Sequence, residues 1–106
     1  MNQFETSYVG KKCIVRGDKS GVFLGEITFL DTASKTVELK NVRRLWKWYG
    51  AETVEDLAKF GVSRPNECKF PVLIGKKLIQ DYCEITEATD ESVNSLMEVK
   101  IWTAHK

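Results

Sequence analysis

The stretch VFLGEITFLDTASKTVELK, residues 22–40, decides the fold. Residues 22–30 are rich in β-branched and aromatic side chains, residues 31–34 supply turn chemistry, and residues 36–40 alternate between apolar and polar. The alternation slips within residues 22–30, which indicates either a strand buried on both faces or a β-bulge. Because a glycine stands at the slip, we predict a bulge at Gly25-Glu26. The stretch as a whole predicts a β-hairpin.

The segments on either side of this hairpin complete a small domain. Short β-prone runs occupy residues 13–15, 71–74, 78–79, 82–85 and 99–103. A first helix is predicted after Thr53, which opens a pattern similar to a capping box, and Gly61 ends it. A second helix is predicted after Thr89, where two acids stand in the first turn. We therefore predict one α+β domain over residues 1–106, with a mainly antiparallel sheet and two short helices.

Length and composition exclude several classes of protein. The 106 residues suffice for one domain, and 42% of them are hydrophobic, as in ordinary globular proteins. The net charge of +1 argues against a general nucleic-acid-coating protein. No apolar run approaches the roughly 20 residues that cross a bilayer. The N-terminus does not resemble a secretory signal, so we expect no membrane partner.

Groups that carry catalysis are poorly represented in the sequence. Neither a glycine-rich phosphate loop nor a cluster of histidine with acidic residues is present. The one histidine, His105, is the penultimate residue, a poor position for a preorganised group. Cys13, Cys68 and Cys83 are widely spaced, which argues against structural zinc and predicts free thiols of the core in a reducing compartment. We therefore expect a binding protein without enzymatic activity, metal or cofactor.

The sharpest local feature is KNVRRLWKWYG, residues 40–50, which contains four cations and no acid. Arginine forks bind phosphate groups and tryptophan faces stack on nucleobases, so the segment suits a nucleotide ligand. If the segment is a strand, Arg44, Trp46 and Trp48 share one face and Arg43 lies on the other. The indoles then belong either to a core or subunit interface or to the walls of a ligand pocket. The pattern alone leaves both interpretations open.

Three weaker candidates lie elsewhere in the chain. Arg16 precedes the turn Gly-Asp-Lys-Ser-Gly, whose backbone amides suit a phosphate nest; a solvated hairpin arginine is the alternative. Phe70, in the segment Lys-Phe-Pro, suits either a stacking platform or a core plug. Lys100 and Trp102 repeat the pairing of a cation with an indole, although a tryptophan in a last strand more often belongs to the core.

Several blocks of this sequence resemble a family of small phage and prophage proteins. They are GVFLG at residues 21–25, RRLWKWYGA at residues 43–51, CKFP at residues 68–71 and VKIW at residues 99–102. The resemblance extends from about residue 8 to residue 103, and the block of two arginines and two tryptophans before Gly-Ala is its most specific part. The family includes the first-described Thoeris anti-defence proteins, which this chain therefore resembles.

The resemblance implies a protein that sequesters a signal instead of degrading it. Family members bind a glycocyclic ADP-ribose made by the TIR-domain sensor of the bacterial Thoeris system, and some relatives also bind cyclic oligonucleotides. The NADase effector is then never activated. The resemblance further implies a homo-oligomer, a dimer or a hexamer, in the cytoplasm of the infected bacterial host. Its ligand pockets would involve subunit interfaces.

The resemblance also implies a set of binding residues. Arg16 and Arg44 are expected to neutralise the phosphates, and Phe70 is expected to stack on adenine. Arg43 and Lys100 are expected to assist. Lys100 stands near a late arginine of the family that has no clear match here, and a lysine lacks the bidentate fork. The residues expected to wall the pocket or the subunit interface are Trp46, Trp48 and Trp102.

A different class of function fits the same segment. Residues 40–50 equally suit a small module that binds RNA, single-stranded DNA or a host protein. Binding along a nucleic-acid strand weakens steeply with salt, whereas binding of one small cyclic ligand depends on salt only modestly. Salt dependence therefore distinguishes the two hypotheses.

Overall fold

A computed structural model describes residues 1–103, which contain a five-stranded sheet and three short α-helices. The elements in chain order are α1 (Gln3–Thr6), β1 (Lys12–Gly17), β2 (Val22–Asp31), β3 (Thr36–Arg44), α2 (Val54–Phe60), a 3-10 helix (Pro65–Glu67), β4 (Ile74–Ile79), β5 (Tyr82–Glu87) and α3 (Asp90–Glu98). The strand order is β4-β3-β2-β1-β5, and all neighbours are antiparallel. The predicted α+β class is confirmed.

Both predicted helices begin where the sequence indicated, and the first also ends there. Thr53 caps α2 with its side chain, and Gly61 ends that helix with a φ of 79°. Thr89 caps α3 in the same way. The four-residue α1 had no counterpart among the predicted elements, because so short a helix carries no readable periodicity. In residues 99–103, predicted as a strand, Ile101 makes only an isolated bridge. Within residues 1–103, no helix is long and apolar enough to cross a membrane.

The predicted irregularity in β2 is present, but the neighbouring strand carries the extra residue. Between Leu24 and Glu26 of β2, the paired positions on β3 run from Arg43 to Lys40, so three residue steps oppose two. Asn41 of β3 has a φ of 53°, the left-handed conformation that few residues other than glycine adopt readily. The predicted β2 bulge at Gly25-Glu26 is therefore wrong in its place: at that register β3 carries the extra residue, and β2 carries its own between Ile27 and Phe29, where two of its residue steps oppose one on β3.

The sheet is strongly curved, because its two edge strands are consecutive in the chain. Only Gln80 and Asp81 separate β4 from β5, and three residue steps span at most about 11 Å, so the two edges converge there. The concave face encloses an apolar cluster that includes Val15, Phe23, Ile27, Val37, Leu39 and Ile79. The helices α2 and α3 cover the other face around a cluster that includes Leu24, Leu45, Leu57, Phe70 and Leu96. Burial of β2 on both faces, the alternative to a bulge, is therefore present as well.

A carboxylate between β4 and β5 fastens the sheet edges to the β1–β2 turn. Asp81 Oδ2 accepts hydrogen bonds from the amides of Lys19 (2.8 Å) and Ser20 (3.1 Å), and Oδ1 accepts one from the Ser20 hydroxyl (2.8 Å). These bonds, the Lys19 amide first, lower the pKa of Asp81 below its ordinary value. A Cβ at Gly17 would clash with the Ser20 hydroxyl. The turn after Arg16, which suited a phosphate nest, thus already holds the protein's own carboxylate.

We expect Asp81→Asn to destabilise the fold at neutral pH and to matter less in acid. The lowered folded-state pKa means that the carboxylate stabilises the fold above the ordinary value of 3.8, and this contribution is lost as the pH falls through the folded-state pKa. Urea-unfolding midpoints of variant and wild type should therefore differ at neutral pH and converge in acid. Asp18→Asn, which neutralises an exposed acid of the same turn, is the control. A difference independent of pH would contradict this account.

Candidate functional site

The two arginines at the end of β3 lie on opposite faces of the sheet, as the alternation of a strand requires. Arg43 is fully buried, whereas Arg44 is half-buried at the surface. Although adjacent in sequence, the two side chains therefore have different partners and different uses.

Arg43 holds the end of α3. Its Nη1 donates to the carbonyls of Leu96 (3.0 Å) and Met97 (3.1 Å), and its Nε donates to the Pro71 carbonyl (3.3 Å). Because α3 has no basic residue in its last turn, the sheet supplies the cation that favours a helix C-terminus. Burial lowers the pKa of Arg43, but a guanidinium stays protonated in proteins. The predicted ligand contact of Arg43 does not fit this buried position.

Phe70 is also buried, with 0% of its surface exposed. The Arg43 guanidinium lies 5.4 Å from its ring centroid, and the ring belongs to the cluster covered by α2 and α3. No face of the ring is open to a nucleobase, so the predicted stacking on Phe70 does not fit either. The structure favours the alternative that the sequence had left open, a core plug.

Arg44, Trp46 and Trp102 come together as predicted. With Pro71 they line a shallow depression of about 360 Å³, a size typical of ligand pockets. We call these four residues the tryptophan patch. The ring centroids of the two indoles are 5.1 Å apart, their planes are tilted by 37°, and Trp46 is 49% exposed. The patch thus presents open aromatic surface beside a guanidinium.

Irregular backbone holds the tryptophan patch in place. Lys47 and Lys69 exchange two backbone hydrogen bonds of 3.2 and 2.8 Å, and the Trp102 amide donates to the Phe70 carbonyl at 2.9 Å. Three segments that are distant in sequence are thereby tied side by side. Since tertiary contacts create this arrangement, no local periodicity in the sequence predicts it.

Lysine side chains surround the two indoles. Lys47 Nζ lies 5.0 Å from the ring centroid of Trp46, and Lys69 Nζ lies 5.5 Å from that of Trp102, both within cation–π range. Lys77, which the sequence did not single out, lines an adjoining depression together with Arg44. Within residues 1–103, none of the cations around the patch forms an ion pair: Arg44, Lys47, Lys69 and Lys77. Their charge is therefore available to an anionic ligand.

The remaining predicted residues lie away from the tryptophan patch. Trp48 is half-buried against the core beneath α2 and α3. Lys100 lines a different depression, beside the end of α3. Arg16 is exposed on β1, with 3.9 Å between its Nη1 and Glu84 Oε1. The structure does not bring these three residues together with Arg44.

A larger depression at the start of α2 suits an anion less well. It measures about 400 Å³, and its charged lining residues are Glu52, Asp56 and Arg64. The guanidinium of Arg64 is already 3.5 Å from the Glu67 carboxylate. Two carboxylates beside one engaged cation would repel a phosphate, so size alone does not make this depression the better candidate.

Two of the three cysteine thiols are weak nucleophiles. Burial raises the pKa of Cys13 to about 12 and also raises that of Cys68. Both are core residues as predicted, whereas Cys83 is exposed. Across residues 1–103, histidine, cysteine and acidic side chains form no group that could hold a metal ion. His105 lies outside the described residues.

Most of the chain, including all five strands, is similar to a known protein family. One family model matches residues 10–96, which is most of the chain. The chain belongs to the DUF6948 family, a domain of unknown function. A comparison with curated proteins found no match. The DUF6948 match covers Arg44, Trp46 and Pro71 and ends before Trp102, so the second indole of the patch lies outside the matched residues.

In this DUF6948 domain we expect Arg43→Ala to lower the free energy of unfolding by about 3 kcal/mol, because one buried and two partly buried carbonyls lose a charged donor. Urea unfolding followed by tryptophan fluorescence measures the loss. Arg64→Ala, which removes an exposed arginine from a surface ion pair, is the control and should cost less than about 1 kcal/mol. Equal losses in the two variants would show that Arg43 does not anchor the core.

Proposed function

We propose that this protein binds a small cyclic nucleotide signal, a glycocyclic ADP-ribose, and sequesters it without cleaving it. The observation that carries the proposal is the convergence of Arg44, Trp46 and Trp102 on one depression. The ligand combines an adenine ring with a diphosphate, and the depression offers aromatic surface and positive charge side by side. The same chemistry extends to cyclic oligonucleotides as further ligands.

The indole pair supplies the surface for the adenine ring. Trp46 and Trp102 meet at a tilt of 37°, so together they form a corner instead of a flat stack. Stacking of a base on an aromatic side chain contributes about 1–3 kcal/mol. The open face of Trp46, which is half-exposed without a ligand, supports this use.

Local charge matters more for this ligand than the net charge of +1. A diphosphate needs only a few cations in one place, and Arg44 with the neighbouring lysines offers them without a competing carboxylate in residues 1–103. The acid-rich residues 81–98 belong to β5 and α3 and contribute no lining residue to the tryptophan patch. The uneven distribution of charge therefore favours a small anion at this surface.

Sequestration without reaction is supported by the groups at the tryptophan patch. An arginine, two tryptophans and a proline line it, and none of these is a nucleophile or a general base at neutral pH. The resemblance to Thoeris anti-defence proteins supplies the setting. In the cytoplasm of an infected bacterium, the protein would remove the signal before the signal reaches the NADase effector.

We also propose a homo-oligomer, a dimer or a hexamer. β4 is an edge strand, and the apolar side chains of Val72, Leu73 and Leu78 in and before it are exposed. An exposed apolar sheet edge favours pairing with a second copy. Val72 directly follows Pro71 of the tryptophan patch, so an interface at this edge would border the bound ligand.

Binding of single-stranded nucleic acid is the second candidate function. The shallow, open form of the tryptophan patch and the lysines beside its indoles favour it, because stacking platforms for single strands combine these features. A strand that contacts several cations loses affinity steeply as salt rises, whereas one cyclic ligand does not.

We expect cyclic ADP-ribose, at about a hundredfold excess over its Kd, to raise the melting temperature by about 10 °C. Trp46→Ala and Arg44→Ala should remove most of this shift, because they delete the stacking surface and the guanidinium. Lys100→Ala, which removes a cation away from the patch, is the control and should keep the shift. Phe70→Ala is unsuitable, since it would open the core. After denaturation, the ligand should be recovered intact.

Three results would change this conclusion. Recovery of a cleaved ligand would make the protein an enzyme. A single-stranded RNA oligomer that binds with steep salt dependence, where cyclic ADP-ribose does not bind, would establish the second candidate. No shift with cyclic ADP-ribose, its isomers or cyclic dinucleotides would overturn the proposal.

A further inference from the structure

We infer that Arg44 and Lys77 form a two-cation clamp for a diphosphate group, beside the indoles of the tryptophan patch. The inference deepens the proposed function and rests on it for the nucleotide part of the ligand. Lys77 thereby contacts phosphate, and the site has two ends: cations for the diphosphate and indoles for the base.

The two cations lie close to one aromatic ring. Arg44 Cζ lies 4.6 Å and Lys77 Nζ lies 5.3 Å from the ring centroid of Phe23, so the two cations are at most about 10 Å apart. They reach this ring from two different strands, β3 and β4. Both side chains line one depression. Two adjacent phosphate groups can contact both cations at this separation.

The Arg44 side chain is held in a fixed orientation by its neighbours. Its Nη1 donates to the Ser20 carbonyl at 2.5 Å, and Phe23 supports its guanidinium plane. A Cβ at Gly21, whose φ is 113°, would lie 2.7 Å from the same Nη1, so the turn glycine leaves room for this orientation. Within residues 1–103, the other guanidinium nitrogens of Arg44 have no hydrogen-bond partner and remain free for a ligand.

The surroundings of the two cations also favour a phosphate. The depression between them is otherwise lined by apolar side chains: Phe23, Val42, Pro71, Val72 and Ile74. No acid lines it, and the apolar side chains strengthen the attraction between a phosphate and a cation because they displace part of the surrounding water. The structure therefore places two unneutralised charges where a phosphate would be held more tightly than on an open surface.

The depression between the two cations is continuous with the indoles. Arg44 and Pro71 line both this depression and the depression between Trp46 and Trp102. A ligand that places its diphosphate at Lys77 can therefore place its base on the indoles while Arg44 contacts the link between them. A mononucleotide or a free nucleoside would occupy only part of this length.

The adjacent lysine provides a matched control. Lys76 and Lys77 are neighbours on β4, so their side chains point to opposite faces of the strand. Lys76 Nζ lies 3.5 Å from Glu38 Oε2, whereas Lys77 forms no ion pair within residues 1–103. Lys76→Ala and Lys77→Ala therefore remove the same charge and side chain, but only the second removes a cation from the clamp.

The test is a titration with inorganic pyrophosphate, followed by NMR, on wild type, Lys77→Ala and Lys76→Ala. We expect saturable shifts of the Arg44 and Lys77 resonances in the wild type, about tenfold weaker binding in Lys77→Ala, and binding within about twofold of wild type in Lys76→Ala. In parallel, Lys77→Ala should weaken cyclic ADP-ribose about tenfold and leave adenosine, which carries no phosphate, unchanged.

The pyrophosphate titration and the nucleotide measurements distinguish failure of the clamp from failure of the proposed function. If pyrophosphate binds through Lys77 but no cyclic nucleotide binds, the proposed function fails and the clamp stands. If cyclic ADP-ribose binds but pyrophosphate does not, or if Lys77→Ala behaves like Lys76→Ala, the clamp is overturned. Equal weakening of adenosine and cyclic ADP-ribose in Lys77→Ala would also overturn it, because Lys77 would then act on the shape of the site.

Discussion

A buried guanidinium organises both the core and the surface that we propose to bind ligand. Arg43 reaches from β3 to the carbonyls at the end of α3 and to the Pro71 carbonyl. Its Nη2 finds no acceptor in residues 1–103, which costs free energy of folding. The three hydrogen bonds made by Nη1 and Nε nevertheless join the sheet, α3 and the segment before β4. Because Arg43 faces α3, strand alternation turns Arg44 to the opposite face of the sheet, over the Phe23 ring. The hydrogen bond from Arg43 to the Pro71 carbonyl also fixes the position of Pro71, which lines the tryptophan patch.

Much of the fold could be predicted, because its elements have local signals. The capping residues Thr53 and Thr89 and the alternation of residues 36–40 each follow from a few neighbouring positions. The bulge shows where local reasoning ends. Its register could be predicted from the slip near Gly25, but the strand that carries the extra residue depends on the pairing partner. Asn41 is an ordinary residue in sequence and an unusual one only in its backbone conformation.

The site was harder to predict than the fold, because burial decides it. Arg44 and Trp46 could be predicted as neighbours from alternation alone. Arg43 and Phe70 have the residue types of a nucleotide site, yet the helices cover both, and no local pattern tells a covered arginine from an open one. The turn after Arg16 was a reasonable anion nest, and it does hold an anion. That anion is the Asp81 carboxylate, 61 residues from Ser20 in the chain, so only the tertiary structure could reveal it.

The difference between Arg44 and the lysines has a consequence for selectivity. Arg44 is held by the Ser20 carbonyl and the Phe23 ring, so little side-chain entropy is lost when a ligand binds to it. Lys47 and Lys69 contact the indoles with long, flexible side chains, so each contact that they make with a ligand costs more side-chain entropy. A rigid guanidinium and rigid indole planes define the shape that a ligand must match, whereas mobile lysines add charge with little demand on shape. Under the proposed function, discrimination between cyclic nucleotides therefore comes from Arg44 and the indoles, and Lys47 and Lys69 raise the affinity for all of them.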